Sequence, residues 1–202
     1  MSSFNFPTSR TQQGLWFLDH WHPGTATYTI PAAYRLRGPL DATAITAAIN
    51  DVIARHEALR TTFAVQDGVP VQVVAETLTI EVPVVDLAAP ADGPELQRLV
   101  DDYIQQPFDL ARGPLVRALL VRLAPDDHVI ALGIHHIVFD GWSMDVFTRE
   151  LAAAYAARCR GVAPALPAPS LPYGDYVVWQ QEMLQDERVR AQGIIWMSSR
   201  WG

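Results

Sequence analysis

Apolar residues recur along the chain at two periods, and these divide it into helices and strands. Ile45, Ala48, Ile49, Val52 and Ile53 fall three and four positions apart, one stripe of a helix, with Asp41 where an N-cap belongs. Leu96, Leu99, Val100 and Tyr103 mark a second amphipathic helix. Further helices are predicted over residues 10–22, stopped by Pro23 and Gly24, from Ser143 to about Arg158, ended by Gly161, and over 174–185. Strands are predicted at 28–37, 59–64, 69–74 after an Asp67-Gly68 hairpin turn, 80–85, 114–123 and 128–134. The last is apolar almost throughout, as a strand buried on both faces must be. Residues 90–94 read as a loop. Residues 162–172, with four prolines and no charge, read as an extended connector. There is no internal repeat, and the mixed order of elements predicts an α+β fold, a mixed sheet flanked by helices.

Composition narrows the function classes. Fifteen Lys and Arg stand against 22 Asp and Glu, a net charge of −7 with no basic run, so no nucleic-acid partner is expected. The single cysteine, Cys159, excludes an internal disulfide framework and a cysteine-based zinc site, and it reads as an inert thiol at a helix end. The first seven residues, MSSFNFP, lack the charged-then-apolar layout of a signal peptide, and no uncharged apolar run is long enough to span a bilayer. A cytoplasmic protein with no membrane partner is therefore expected.

The segment with chemistry in it is residues 134–143, IHHIVFDGWS, between the apolar strand and the helix after it. Successive strand residues point to opposite faces, so one of His135 and His136 is expected to face a cavity and the other to pack inward. The same divergence argues against a metal held by His135, His136 and Asp140, and no metal is expected. An imidazole is suited to taking a proton from an amine or alcohol near neutrality. Asp140 is placed either to orient an imidazole or to pair with an arginine. Gly141 is read as permitting a turn that a side chain would forbid, and Ser143 as the cap of the following helix.

This HHxxxDG pattern resembles the signature of the condensation-domain superfamily of nonribosomal peptide synthetases, which shares the chloramphenicol acetyltransferase fold. Three more segments are similar to that family's motifs in the same order: residues 8–18, TSRTQQGLWFL; 55–63, RHEALRTTF; and 173–180, YGDYVVWQ. The resemblance spans about residues 4–185. It implies that residues 1–185 are the N-terminal lobe of a two-lobed domain, with 186–202 a tail that departs from the family pattern and the second lobe not included.

By the same resemblance His136 is the catalytic residue of amide formation between a donor thioester and an acceptor amine. His135, Asp140, Gly141 and Arg60 support the site, Asp140 pairing with Arg60 in preference to Arg55, which is read as a solvated helix-end residue. The implied partners are donor and acceptor peptidyl carrier proteins and a second lobe or chain. No cofactor is bound directly; phosphopantetheine arms carry the substrates. Gly14 stands where the family often has arginine. Two alternatives remain beside amide formation: a non-catalytic carrier- or partner-binding module, and a related activity such as epimerisation or ester formation. An isolated lobe is expected to be inactive.

Overall fold

The computed structural model describes residues 3–87 and 93–185. Its elements are β1 (Ser3–Pro7), α1 (Arg10–Trp21), β2 (Thr29–Arg37), α2 (Ala42–Arg55), a 3-10 turn (Glu57–Arg60), β3 (Thr61–Gln66), β4 (Val69–Ala75), β5 (Val84–Asp86), α3 (Pro94–Ile104), β6 (Val116–Ala124), β7 (Asp127–His135), α4 (Gly141–Cys159) and α5 (Tyr173–Gln185).

The principal sheet has the order β2-β7-β6-β5, antiparallel except for the parallel β5–β6 pair. Alternation along its two central strands sorts their side chains between two cores. Val116, Ala118 and Leu120 of β6, with Ile130, Leu132 and Ile134 of β7, pack against the apolar stripe of α2 and against Phe147 and Leu151 of α4. Leu119, Val121, Val129 and Ala131 face the other way, onto Val100 and Ile104 of α3. Helices therefore cover both faces, and residues 128–135 of β7 are all buried. The α+β reading of the sequence holds, with a mixed sheet flanked by helices.

The stripe of α2 is wholly interior: Ile49, Val52 and Ile53 are 0% exposed, each burial contributing about 1.5–3 kcal/mol. Asp41 caps the helix as expected, its Oδ1 accepting from the backbone of Thr43 at 2.8 Å and of Ala44 at 3.0 Å.

A second sheet, β1-β4-β3, is fully antiparallel. Its β3–β4 hairpin turns through Asp67 and Gly68 at φ 51° and 79°, the pair of left-handed residues that a two-residue turn needs. Strand β1 is absent from the sequence reading. Only Phe4 and Phe6 alternate in it, and its pairing with residues 71–75 of β4 is remote in sequence. Helix α5 rests on β1 through Gly174, where a Cβ would lie 2.7 Å from the Phe6 ring.

Other boundaries shift for local reasons. Residues 57–60 form the 3-10 turn, so the strand expected from residue 59 begins at Thr61. The strand expected over 80–85 pairs only at Val84–Asp86. Residues 90–92 of the expected loop lie outside the described residues, and α3 starts on Pro94, where a missing N–H costs nothing. No helix among the described residues is long and apolar enough to cross a membrane.

Candidate active site

Strand β7 ends at His135, and its pleat decides what the two histidines do. Odd-numbered residues of β7 face α3, and His135 continues that row: it is 3% exposed, edge-on to Phe108 with ring centroids 6.0 Å apart. Its Nδ1 accepts from the backbone N–H of Ile137 at 3.1 Å, so the neutral ring carries its proton on Nε2, which lies 3.9 Å from Asp19. Burial first, and then the neighbouring His136, lowers its pKa to about 4. His135 is thus a neutral, buried anchor of the turn.

His136 is the first residue beyond the strand. Its backbone N–H donates to Tyr28 at 2.8 Å, and its side chain stands exposed at a cleft of about 410 Å³ shared with Gln12, Phe139, Ser143, Tyr173 and Tyr176. The expectation of one inward and one cavity-facing imidazole is met, with His136 outward.

Two assignments around this turn are corrected. Asp140 does not pair with Arg60. It is the N-cap of α4, its Oδ1 accepting from the Ser143 hydroxyl at 2.6 Å and the Ser143 backbone at 2.8 Å. Those two bonds, hydroxyl first, hold its carboxyl below the ordinary range, with His136 adding to the effect. Ser143 is therefore the capped residue, and α4 begins at Gly141, two residues earlier than expected. Gly141 itself is helical, and a Cβ there would meet nothing within 4 Å, so no backbone turn requires glycine at this position.

The arginines of the RHEALR segment have other partners. Arg60 donates from Nη1 to the Ala75 carbonyl and from Nη2 to Glu57 at 3.4 Å, while its buried Nε has no partner among the described residues. Arg55 is no solvated helix-end residue: its side chain is 14% exposed, with Nε on Glu150 of α4 at 3.0 Å. The remaining nitrogens of Arg55 donate to the carbonyls of Leu166 and Pro167 in the proline-rich connector. His56 donates from Nε2 to the same Glu150 oxygen at 2.6 Å.

One supporting residue carries no role in the sequence reading. Gln12, 2% exposed, closes a capping box with Ser9 at the start of α1. Its Nε2 also donates to Gln72 at 2.9 Å and to the Ile137 carbonyl at 3.3 Å, one residue past His136. The available signal is its polarity on a helix face that also carries Leu15 and Trp16, because a buried amide is retained only where it is paired. Trp179 is 51% exposed and Phe17 is 54% exposed. Leu15 and Trp16 pack on the core.

Among the described residues no cluster of three or more His, Cys, Asp or Glu side chains is arranged to hold a metal. What the site offers is one accessible imidazole, held by its backbone at a strand end, beside an anionic helix cap.

A condensation-domain family model matches residues 4–200, a match that runs past residue 185 into the stretch outside the described residues. Chondramide synthase of Chondromyces crocatus is 42% identical over 193 residues, 94% of this chain and 5% of that protein. Isonitrile lipopeptide synthase of Mycobacterium tuberculosis is 42% identical over 204 residues, covering 97% of this chain and 8% of that one. The X-domain of teicoplanin biosynthesis, solved in complex with OxyB, is 36% identical with a TM-score of 0.83 over 91% of this chain and 39% of that one. The starter condensation domain of rhizomide synthetase superposes at a TM-score of 0.88 and 24% identity, covering 98% of this chain and 49% of that one, a likeness of fold. The chain spans a small fraction of the synthetases it matches, and less than half of these two solved chains.

Proposed function

The chain belongs to the condensation-domain family of nonribosomal peptide synthetases, and on that premise we propose that it is the donor lobe of an amide-forming condensation domain with His136 as the catalytic residue. The observation that carries this reading is the exposed His136 side chain at the mouth of the cleft, with its neighbour His135 buried and neutral. The reaction joins an acceptor amine to a donor acyl thioester. The nitrogen attacks the carbonyl carbon, a C–N bond forms, the C–S bond breaks, and the donor thiol leaves on its phosphopantetheine arm. His136 takes up the proton that the amine loses and returns it to the departing sulfur, which leaves as the thiol. His135, Asp140 and Gln12 hold the turn that presents it, and Arg60 and Gly141 are supporting positions by the family motif. The partners are donor and acceptor peptidyl carrier proteins and a second lobe.

A single lobe leaves one wall of the site open. Holding two reactants in line can supply about 7–11 kcal/mol of a barrier. The exposed Trp21, Trp142 and Trp179 support a partner surface, since large apolar side chains left in water are a common mark of one. The test is reconstitution with loaded donor and acceptor carrier proteins, with and without a matched second lobe, read by mass spectrometry of the condensed thioester. Product is expected only with the second lobe and is lost in His136→Ala. A partner-binding module is the second reading, favoured by the relative solved in complex with OxyB. Absence of product with a matched second lobe would select it.

A further inference from the structure

Three cavities meet at Ala58, and one of them is the cleft that His136 lines. That cleft shares Val138, Phe139 and Ser143 with a smaller pocket of about 240 Å³, sunk between the 3-10 turn and α4 and lined further by Leu59, Val146 and Phe147. A third, of about 530 Å³, lies between the 3-10 turn and the proline-rich connector, against Tyr173 and Tyr176. Ala58 lines all three.

We propose that the 240 Å³ pocket receives the neutral, apolar side chain of the acyl group bound at His136, and that Ala58 sets the largest side chain that can pass. This rests on the reading of His136 as the reacting centre. The pocket is formed in advance: Leu59, Phe139 and Phe147 are 3%, 6% and 2% exposed and fixed by core packing. Phe139 and Phe147 meet edge to face at 6.0 Å. Its one titratable lining residue, His56, already has Nε2 on Glu150, so no free charge is available to meet a charged substituent, and burying one unpaired is costly. An apolar cavity of about 150 Å³ is enough to hold benzene, so 240 Å³ admits a branched aliphatic or aromatic side chain. Trp142, 81% exposed at the rim, offers apolar surface that the core does not use. The half-buried Ala58 lines both this pocket and the His136 cleft, so a larger side chain there would narrow the space they share.

The test measures Kd of the 202-residue chain by calorimetry for the cysteamine amides of N-acetylglycine, N-acetylleucine, N-acetylphenylalanine and N-acetylaspartate. Wild type is compared with Ala58→Phe, Ala58→Val and Val146→Phe, each checked for folding by its Tm. Wild type is expected to favour the leucyl and phenylalanyl probes at least about tenfold over the glycyl and aspartyl ones, the scale that a few methylenes in an apolar pocket can give. The folded variants lose that ratio, Ala58→Val least. Equal Kd across the wild-type panel, or a ratio unchanged in every folded variant, overturns the assignment. Binding is read without turnover, so the two readings fail separately. Side-chain discrimination without condensation in the reconstituted system sinks His136 as catalyst and leaves the pocket standing. Condensation without discrimination does the reverse.

Discussion

The turn that carries His136 and the segment from Arg55 to Arg60 border the same cavities, and they are held in opposite ways. The side chains of the turn bond locally, His135 accepting from Ile137 two residues on and Asp140 from Ser143 three residues on, while its backbone is anchored at Tyr28 and by Gln12. The segment is tied at long range, Arg55 to Glu150 and to carbonyls 111 and 112 residues away, His56 to Glu150, and Arg60 to Ala75. The side chains of one wall are therefore set by near neighbours in sequence, and those of the other by the docking of α4 and the connector. The two should respond to different perturbations.

Acid is the largest expected perturbation, and it strikes the turn. His135 has a native pKa of about 4 against an ordinary value of 6.5. Above pH 6.5 both folded and unfolded chains hold a neutral imidazole, and His135 adds no pH dependence. Between 6.5 and 4 the unfolded chain binds a proton that the native chain refuses, so stability falls as pH falls; below 4 both are protonated and the loss stops. At 1.36 kcal/mol per pH unit the full effect is about 3 kcal/mol. Urea unfolding from pH 7 to pH 4 should show that loss in wild type and not in His135→Asn, whose amide oxygen can accept the Ile137 N–H. Parallel pH profiles for the two proteins would mean that His135 is protonated as readily folded as unfolded.

The same contrast explains what is legible in the sequence. The α2 stripe, the Asp41 cap, the Asp67-Gly68 turn and the inward–outward split of His135 and His136 all follow from period or from neighbours within four residues. Strand β1 escapes a reading by pattern because its partner, β4, lies about 70 residues on. The partners of Asp140, Arg60 and Arg55 differ from expectation for a related reason. A carboxylate just before a helix finds the free N–H groups of the first turn before any distant arginine, and Arg55 finds an acceptor in Glu150, whose place in the helix is legible but whose role is not. Gln12 carries a readable polarity, but its bonds to Gln72 and Ile137 depend on how α1 crosses the second sheet.

Removing Glu150 is the matching break on the other wall. Its side chain is 12% exposed and serves both Arg55 and His56. Deleting one member of a buried pair costs about 3–5 kcal/mol; the residual exposure here and the connector carbonyls left to Arg55 bring the expectation to about 2–3 kcal/mol. Glu150→Ala should lower the urea midpoint accordingly. It should also loosen the connector, read as faster proteolysis within residues 164–168, while leaving the amides of Ile137 and Ser143 as protected from hydrogen exchange as before. Exchange that also rises at Ile137 and Ser143 would show that the two walls are a single unit.

The smallest effect sharpens the comparison most, because the local and long-range descriptions give different magnitudes for one substitution. If Asp140 formed a buried pair with an arginine, Asp140→Ala would cost about 3–5 kcal/mol. Its carboxylate is instead an exposed N-cap bonded to Ser143, and losing a cap costs about 1 kcal/mol. Asp140→Asn and Asp140→Ser, which can still cap, should recover most of that loss, whereas neither would restore an ion pair. Arg60→Ala provides the cross-check. It removes a bond to the Ala75 carbonyl and a contact with Glu57, so its cost should add to that of Asp140→Ala within about 0.5 kcal/mol, as independent sites do. A coupling well above that in the double variant, measured by urea unfolding, would mean that the two side chains meet in solution and that the wall and the turn are joined directly.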